Sequence, residues 1–192
     1  MSHASFLENS IQLFTYYKHL ADQSIQTLDP EDWHTEMAPG SNSIFIIMKH
    51  LWGNMNSRWR DFLTTDGEKP DRHRDMEFTH EDLTTEQIKE RWNSGWKLLF
   101  TALETAKTVD EDYVVYIRNE GHSIMEAVQR QLAHYAYHVG QIVYLSKMIQ
   151  GEDFTSLSVP RGQSQAYNAK KFKQEKTDRF FTERIHDDLG SM

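Results

Sequence analysis

The sequence predicts an all-α domain, a four-helix bundle, and three observations carry that prediction. Four long segments repeat apolar residues at the three-then-four spacing of one helix face. Two of them are preceded by capping-box pairs, Thr84 with Gln87 and Ser123 with Glu126. Only Tyr113 to Ile117 is β-prone, and it is short. Helices with one apolar face each are stable when those faces are buried against one another.

The first helix is expected at residues 5 to 28, where Leu7, Ile11, Phe14, Ala21, Ile25 and Leu28 form a stripe that Asp29-Pro30 interrupts. Met37 to Ser43 reads as a loop, and Ser43 as the N-cap of a second helix running to about Leu63, before Asp66-Gly67. Phe45 to Met48, Leu51, Trp52 and Met55 make that helix apolar almost all round, as suits one packed on several sides or contributing to a homodimer surface. Glu68 to Thr79 is highly charged without a helical stripe and reads as a long connection.

Ile88, Trp92, Gly95, Leu99, Leu103 and Ala106 give the third helix its apolar face. Tyr113 to Ile117 is expected as one small strand or extended segment, with Asn119-Glu120-Gly121 as the turn after it. The fourth helix is expected at residues 124 to 150, closed by Gly151. Leu157 to Ser164 is irregular, and residues 165 to 192 are charged with scattered Phe172, Phe180 and Phe181. The expected organisation is therefore one bundle domain, 1–155, and a C-terminal extension, 156–192, with a short helix, packed on the bundle or on a partner subunit.

With no cysteine in 192 residues, disulfides, thiolate metal ligands and a protein thiol nucleophile are excluded. Any metal must be held by nitrogen and oxygen. A formal charge of −8 argues against a general nucleic-acid surface, which needs a basic stripe. Met1 to Glu8 lack the basic flank and apolar run of a secretion signal, and no segment reaches membrane-spanning length. A soluble, cytoplasmic protein is expected.

The chemistry-bearing pattern lies in the fourth helix. Ile124, Ala127, Gln131, His134, His138, Ile142, Leu145 and Ile149 follow the core-facing spacing, with polar residues at the centre of the stripe. Packing alone gives no reason for imidazole there. Residues four apart lie one above the other, so both rings can converge on one point in the interior. His50, in the strongly apolar second helix, is the best third ligand. Three neutral imidazoles would leave a divalent metal positions open for water or substrate. Against this stands the reading of satisfied core or surface histidines, since the chain has ten.

Asn54, one turn after His50, and Gln131 and Gln141, each about one turn from a histidine of the pair, could orient the rings through their second nitrogens. Arg58, Arg72, Arg74, Arg130 and Arg161 are candidates for holding a carboxylate-bearing ligand, Arg58 and Arg130 foremost. Glu77, Glu120 and Glu126 could approach the site as bases, although Glu126 already serves as a cap. No catalytic residue is assigned.

With His50 in "KHLWGN" and the pair in "QLAHYAYHVGQI", the chain resembles the DinB/YfiT-like superfamily of metalloenzymes over residues 5 to 150. It is similar to a bacterial branch that shares the Arg58-Trp-Arg-Asp-Phe-Leu run and Pro160-Arg-Gly-Gln-Ser164, distantly similar to bacillithiol transferases. The resemblance implies an antiparallel four-helix bundle with a long crossover between helices two and three. It also implies a three-histidine site for zinc or nickel at His50, His134 and His138.

The activity so implied is metal-dependent transfer to a small-molecule substrate, with a low-molecular-weight thiol such as bacillithiol activated on the metal. A metal-dependent hydrolase, or a non-enzymatic metal-binding or stress-related interaction protein, stands as the alternative.

Overall fold

Side-chain caps open each long helix of the computed structural model, which describes residues 2–178. Ser2 accepts the Ser5 amide at the start of α1 (His3–Ile25), and Ser43 accepts that of Ile46 at the start of α2 (Ile44–Trp59). Reciprocal capping boxes, Thr84 with Gln87 and Ser123 with Glu126, open α3 (Thr85–Ala106) and α4 (Ile124–Gln150). These bonds satisfy amides that the first turn of a helix leaves without partners. Gly151, at φ +59°, closes α4 in backbone that glycine adopts without strain. The chain is mostly helical, with a fifth short helix, α5 (Ser164–Lys171), and one two-stranded sheet among the described residues.

Two helix ends depart from expectation. α1 stops at Ile25, and Asp29, extended and boxed with Asp32, begins a short 3-10 turn at Pro30–His34 that buries Trp33. α2 stops at Trp59 rather than Leu63. Arg60 is extended and Asp61 is left-handed at φ 48°, a conformation Asp tolerates better than most residues. After that break Phe62 lies edge-on to Trp59 at 5.5 Å and is buried.

The β-prone segment forms half of a hairpin, β1 (Val114–Ile117) paired antiparallel with β2 (Glu120–Ser123). The turn is Arg118-Asn119, both at positive φ, so Glu120 and Gly121 belong to a strand and not to the turn expected there. Asp66 holds this turn: its carboxylate accepts both amides, each at 2.8 Å.

α1 packs on α4 and α3, and α2 packs on α3 and α4. Phe14, Trp92, Trp96 and Tyr135 fill the centre with mutually tilted or edge-on rings. Tyr135 is fully buried, and its hydroxyl accepts from Trp59 Nε1 at 3.1 Å while donating to Asn54 Oδ1 at 3.0 Å. Twelve of the sixteen residues of α2 are buried within the chain itself. Its apolar girth is thus used largely inside the chain.

The charged connection between α2 and α3 is no solvated loop. Arg74–Phe78 winds into a 3-10 turn packed on α2, and Glu77 is buried. In the C-terminal extension α5 has no buried residue; Phe180 and Phe181 lie outside the described residues. No helix among the described residues is long and apolar enough to cross a membrane.

Candidate metal centre

One turn of α4 separates His134 from His138, and the packing of α2 on α4 brings His50 to the same point. One ring nitrogen from each histidine lies within 4.8 Å of the other two, and His50 Nε2 is 3.3 Å from His134 Nε2. Ring centroids are 4.8 to 5.3 Å apart, and the rings stand steeply to one another. They converge edge to edge around a shared point instead of stacking.

Two of the rings are oriented from behind. His50 Nδ1 donates to Glu77 Oε2 at 2.8 Å, which leaves Nε2 as the atom facing the other histidines. His138 Nδ1 donates to Gln141 Oε1 at 2.8 Å, with the same consequence for its Nε2. A hydrogen bond to the second nitrogen sets the tautomer and direction of an imidazole ligand.

Glu77 is in turn gripped by Arg72, whose Nε donates to Oε1 at 2.8 Å and a terminal nitrogen to Oε2 at 3.0 Å. Burial alone would raise the Glu77 pKa, but the bonds from His50 and Arg72 outweigh it and hold the carboxyl below its usual range. Glu77 reaches α2 because residue 53 is glycine: a β-carbon there would stand 2.7 Å from Glu77 Cδ.

The two histidines of α4 are held neutral. Burial pushes the His134 pKa down to about 3, helped by His138, His50, Arg58 and Arg72. Burial likewise pulls His138 down to about 4, against the opposing bond to Gln141. At neutral pH both rings therefore present a free lone pair, the form a metal requires.

The cluster opens into a cavity of about 490 Å³ whose lining includes Asn54, Phe78, Gln131 and Tyr137. Phe78 packs on His50 with centroids 4.7 Å apart. Five arginines, Arg58, Arg72, Arg74, Arg118 and Arg130, complete the wall. Arg58 is buried, and its terminal nitrogen donates to Gly67 O and, at 3.0 Å, to Glu68. Burial lowers the Arg58 pKa, with Glu68 opposing. Arg130 donates to His122 Nε2 at 3.2 Å.

Of the residues singled out from the sequence, the structure thus gathers His50, His134, His138, Asn54, Gln131, Arg58, Arg72, Arg74 and Arg130 around one cavity, with Gln141 directly behind His138. Asn54 Oδ1 bonds Tyr135 instead of a histidine, and Gln131 Oε1 is buried with no hydrogen-bond partner among the described residues. Arg161 is exposed in the extension and does not line the cavity.

Glu126 is a cap and Glu120 an exposed strand residue, so neither lines the cavity as a base. Glu77, weighed as a base, instead orients His50. Arg118 was missed, because only the hairpin turn carries it to the cavity and no periodicity marks such a position.

A family described as protein of unknown function (DUF1572) matches residues 2–163, a stretch that holds the three histidines and every arginine of the cavity. No curated protein and no solved structure shows significant similarity to the chain.

Proposed function

The chain belongs to the DUF1572 family, which is DinB-like, and we propose that it is a metal-dependent enzyme whose His50, His134 and His138 hold one divalent cation, zinc or nickel. The observation that carries this reading is the 3.3 Å between the Nε2 atoms of His50 and His134, with His138 beside them. Two imidazole nitrogens bound at 2.0–2.1 Å to one tetrahedral cation stand about 3.3 Å apart. The donor set fits as well, since Glu77 and Gln141 occupy the Nδ1 atoms of His50 and His138 and free their Nε2 atoms.

On this reading the helices form an antiparallel four-helix bundle within residues 1–155, whose crossover supplies Glu77. A three-imidazole cation keeps its full charge and would lower the pKa of a bound water or thiol near neutral pH. The chain's own residues do the rest. Glu77 and Gln141 aim the rings, Arg72 fixes Glu77, and Phe78 shields His50. In a chain without cysteine, a thiol nucleophile is supplied by a low-molecular-weight thiol, with bacillithiol the first to test. A homodimer would use the exposed Tyr137, Tyr144 and Met148 of α4, which share one face beside the cavity.

Metal analysis of untagged protein is the first test, with one equivalent expected in the parent and none in the His50→Ala, His134→Ala and His138→Ala variants. Equal metal content in parent and variants would refute the site. A panel of thiols and electrophiles then separates the activities. Metal-dependent, thiol-dependent turnover supports the transferase; metal-dependent turnover without thiol supports a hydrolase. No metal-dependent turnover supports the non-enzymatic alternative.

A further inference from the structure

The wall of the histidine cavity is unlike the rest of the chain. The sequence as a whole carries −8, yet five arginines and no carboxylate line this cavity. Two carboxylates stand behind them. Glu68 pairs with Arg58, Arg72 and Arg118 at 3.0 to 3.3 Å, and Glu77 pairs with Arg72. Arg74 has only Asp75, at 3.8 Å and fully exposed, and Arg130 makes no salt bridge among the described residues. At least two positive charges are left over at one place.

Such a cluster is self-repelling and is stabilised by an anion that enters it. The three least-paired arginines come from three separate elements: Arg74 from the crossover turn, Arg118 from the hairpin turn and Arg130 from α4. The side chains of Arg74 and Arg118 are about half exposed, so an arriving ligand meets them without burying an unpaired charge. Deeper in the same lining, among the described residues, Arg58 Nε is a buried donor without an acceptor, and Gln131 Oε1 a buried acceptor without a donor. Guanidinium forks match carboxylate and phosphate oxygens in pairs.

We propose that the ligand of this cavity is a small polyanion, a molecule with at least two carboxylate or phosphate charges. Arg74, Arg118 and Arg130 hold those charges at the mouth, and its reacting end faces the three histidines. The placement of the reacting end rests on the metal reading above; the polyanion preference rests on the arginines alone.

The test is calorimetric titration of the zinc-loaded chain, and of the metal-free His134→Ala variant, with succinate, inorganic phosphate and acetate at low and high salt. Succinate or phosphate is expected to bind at least about ten-fold more tightly than acetate, and to weaken as salt screens the arginines. Which of the two binds better distinguishes a dicarboxylate from a phosphate ligand. The double variant R118Q/R130Q, checked for unchanged helicity and zinc content, is expected to lose about ten-fold or more of that affinity.

Binding that survives in the metal-free variant and still requires the arginines supports the polyanion even if no zinc is held. Zinc binding without any preference for the dianions overturns the proposal and leaves the metal site standing. Equal affinity for acetate, or affinity untouched in R118Q/R130Q, also overturns it, because the anion would then be a ligand of the metal alone.

Discussion

Gly53 on α2 lies against the carboxylate of Glu77, so close that a β-carbon at residue 53 would come within 2.7 Å of Glu77 Cδ. Through this clearance a residue from the crossover reaches His50. Gly53→Ala is expected to push Glu77 off His50 and weaken zinc binding by about 10- to 100-fold. Fold stability should change little, because strain on the Arg72–Glu77 pair is offset by alanine's intrinsic helix preference over glycine, about 1 kcal/mol. Zinc competition titration with circular dichroism checks both halves; unchanged affinity would mean that Glu77 does not depend on that space.

Glu77→Gln should lower zinc affinity by a similar 10- to 100-fold while lowering stability too, because Arg72 loses its buried partner. Gln141→Leu removes the bond to His138 without touching an ion pair, so its effect should fall on affinity and spare stability. Thermal unfolding of the two metal-free variants separates them. Equal melting temperatures would argue against a structural share for the Arg72–Glu77 pair.

The metal-free protein should lose stability as the pH falls below 6.5. Folded His134 and His138 titrate at about 3 and about 4, below the unfolded value near 6.5. The unfolded chain therefore takes up protons first, and the stability contributed by these neutral rings, complete above pH 6.5, drains away between there and the folded values. Urea denaturation at pH 7.5 and pH 5 measures it. The difference should shrink in a His134→Ala, His138→Ala double variant, and an undiminished difference would assign it to other groups.

Tyr135→Phe should cost about 1–3 kcal/mol, because it leaves Trp59 Nε1 without its acceptor and Asn54 Oδ1 without its donor in the core. Equilibrium unfolding gives the value directly. A loss within 0.5 kcal/mol, the range of ordinary surface substitutions, would show that the network contributes little.

Chelation should leave the helical signal nearly intact, since the apolar faces of α1 to α4 form a core without a metal. Circular dichroism before and after exhaustive chelation decides this. Wholesale loss of helicity would make the cation a folding staple.

The helices were legible because their signals are local. The stripe from Ile124 to Ile149 and the pairs Ser123–Glu126 and Thr84–Gln87 need only neighbours within a few residues, and α4 begins and ends where they indicate. The end of α2 was not legible: Arg58 to Leu63 has good helix formers, and the break at Asp61 accompanies the burial of Phe62 against Trp59. The hairpin turn begins one residue earlier than expected and is shorter, with the Asp66 carboxylate, more than fifty residues away in sequence, holding the amides of Arg118 and Asn119.

By itself the sequence determined the helical class, three of the four long-helix caps and the two histidines one turn apart, all of which follow from the 3.6-residue repeat. Tertiary structure alone decided the convergence of His50 with them, the service of Glu77 as an orienting carboxylate, and the five-arginine wall with Arg118 in it. The physical reason is one of range. Helix periodicity acts over a few ångströms along the chain, whereas a donor cluster and its charge environment are set by residues from α2, the crossover, the hairpin and α4 that only packing brings within contact distance.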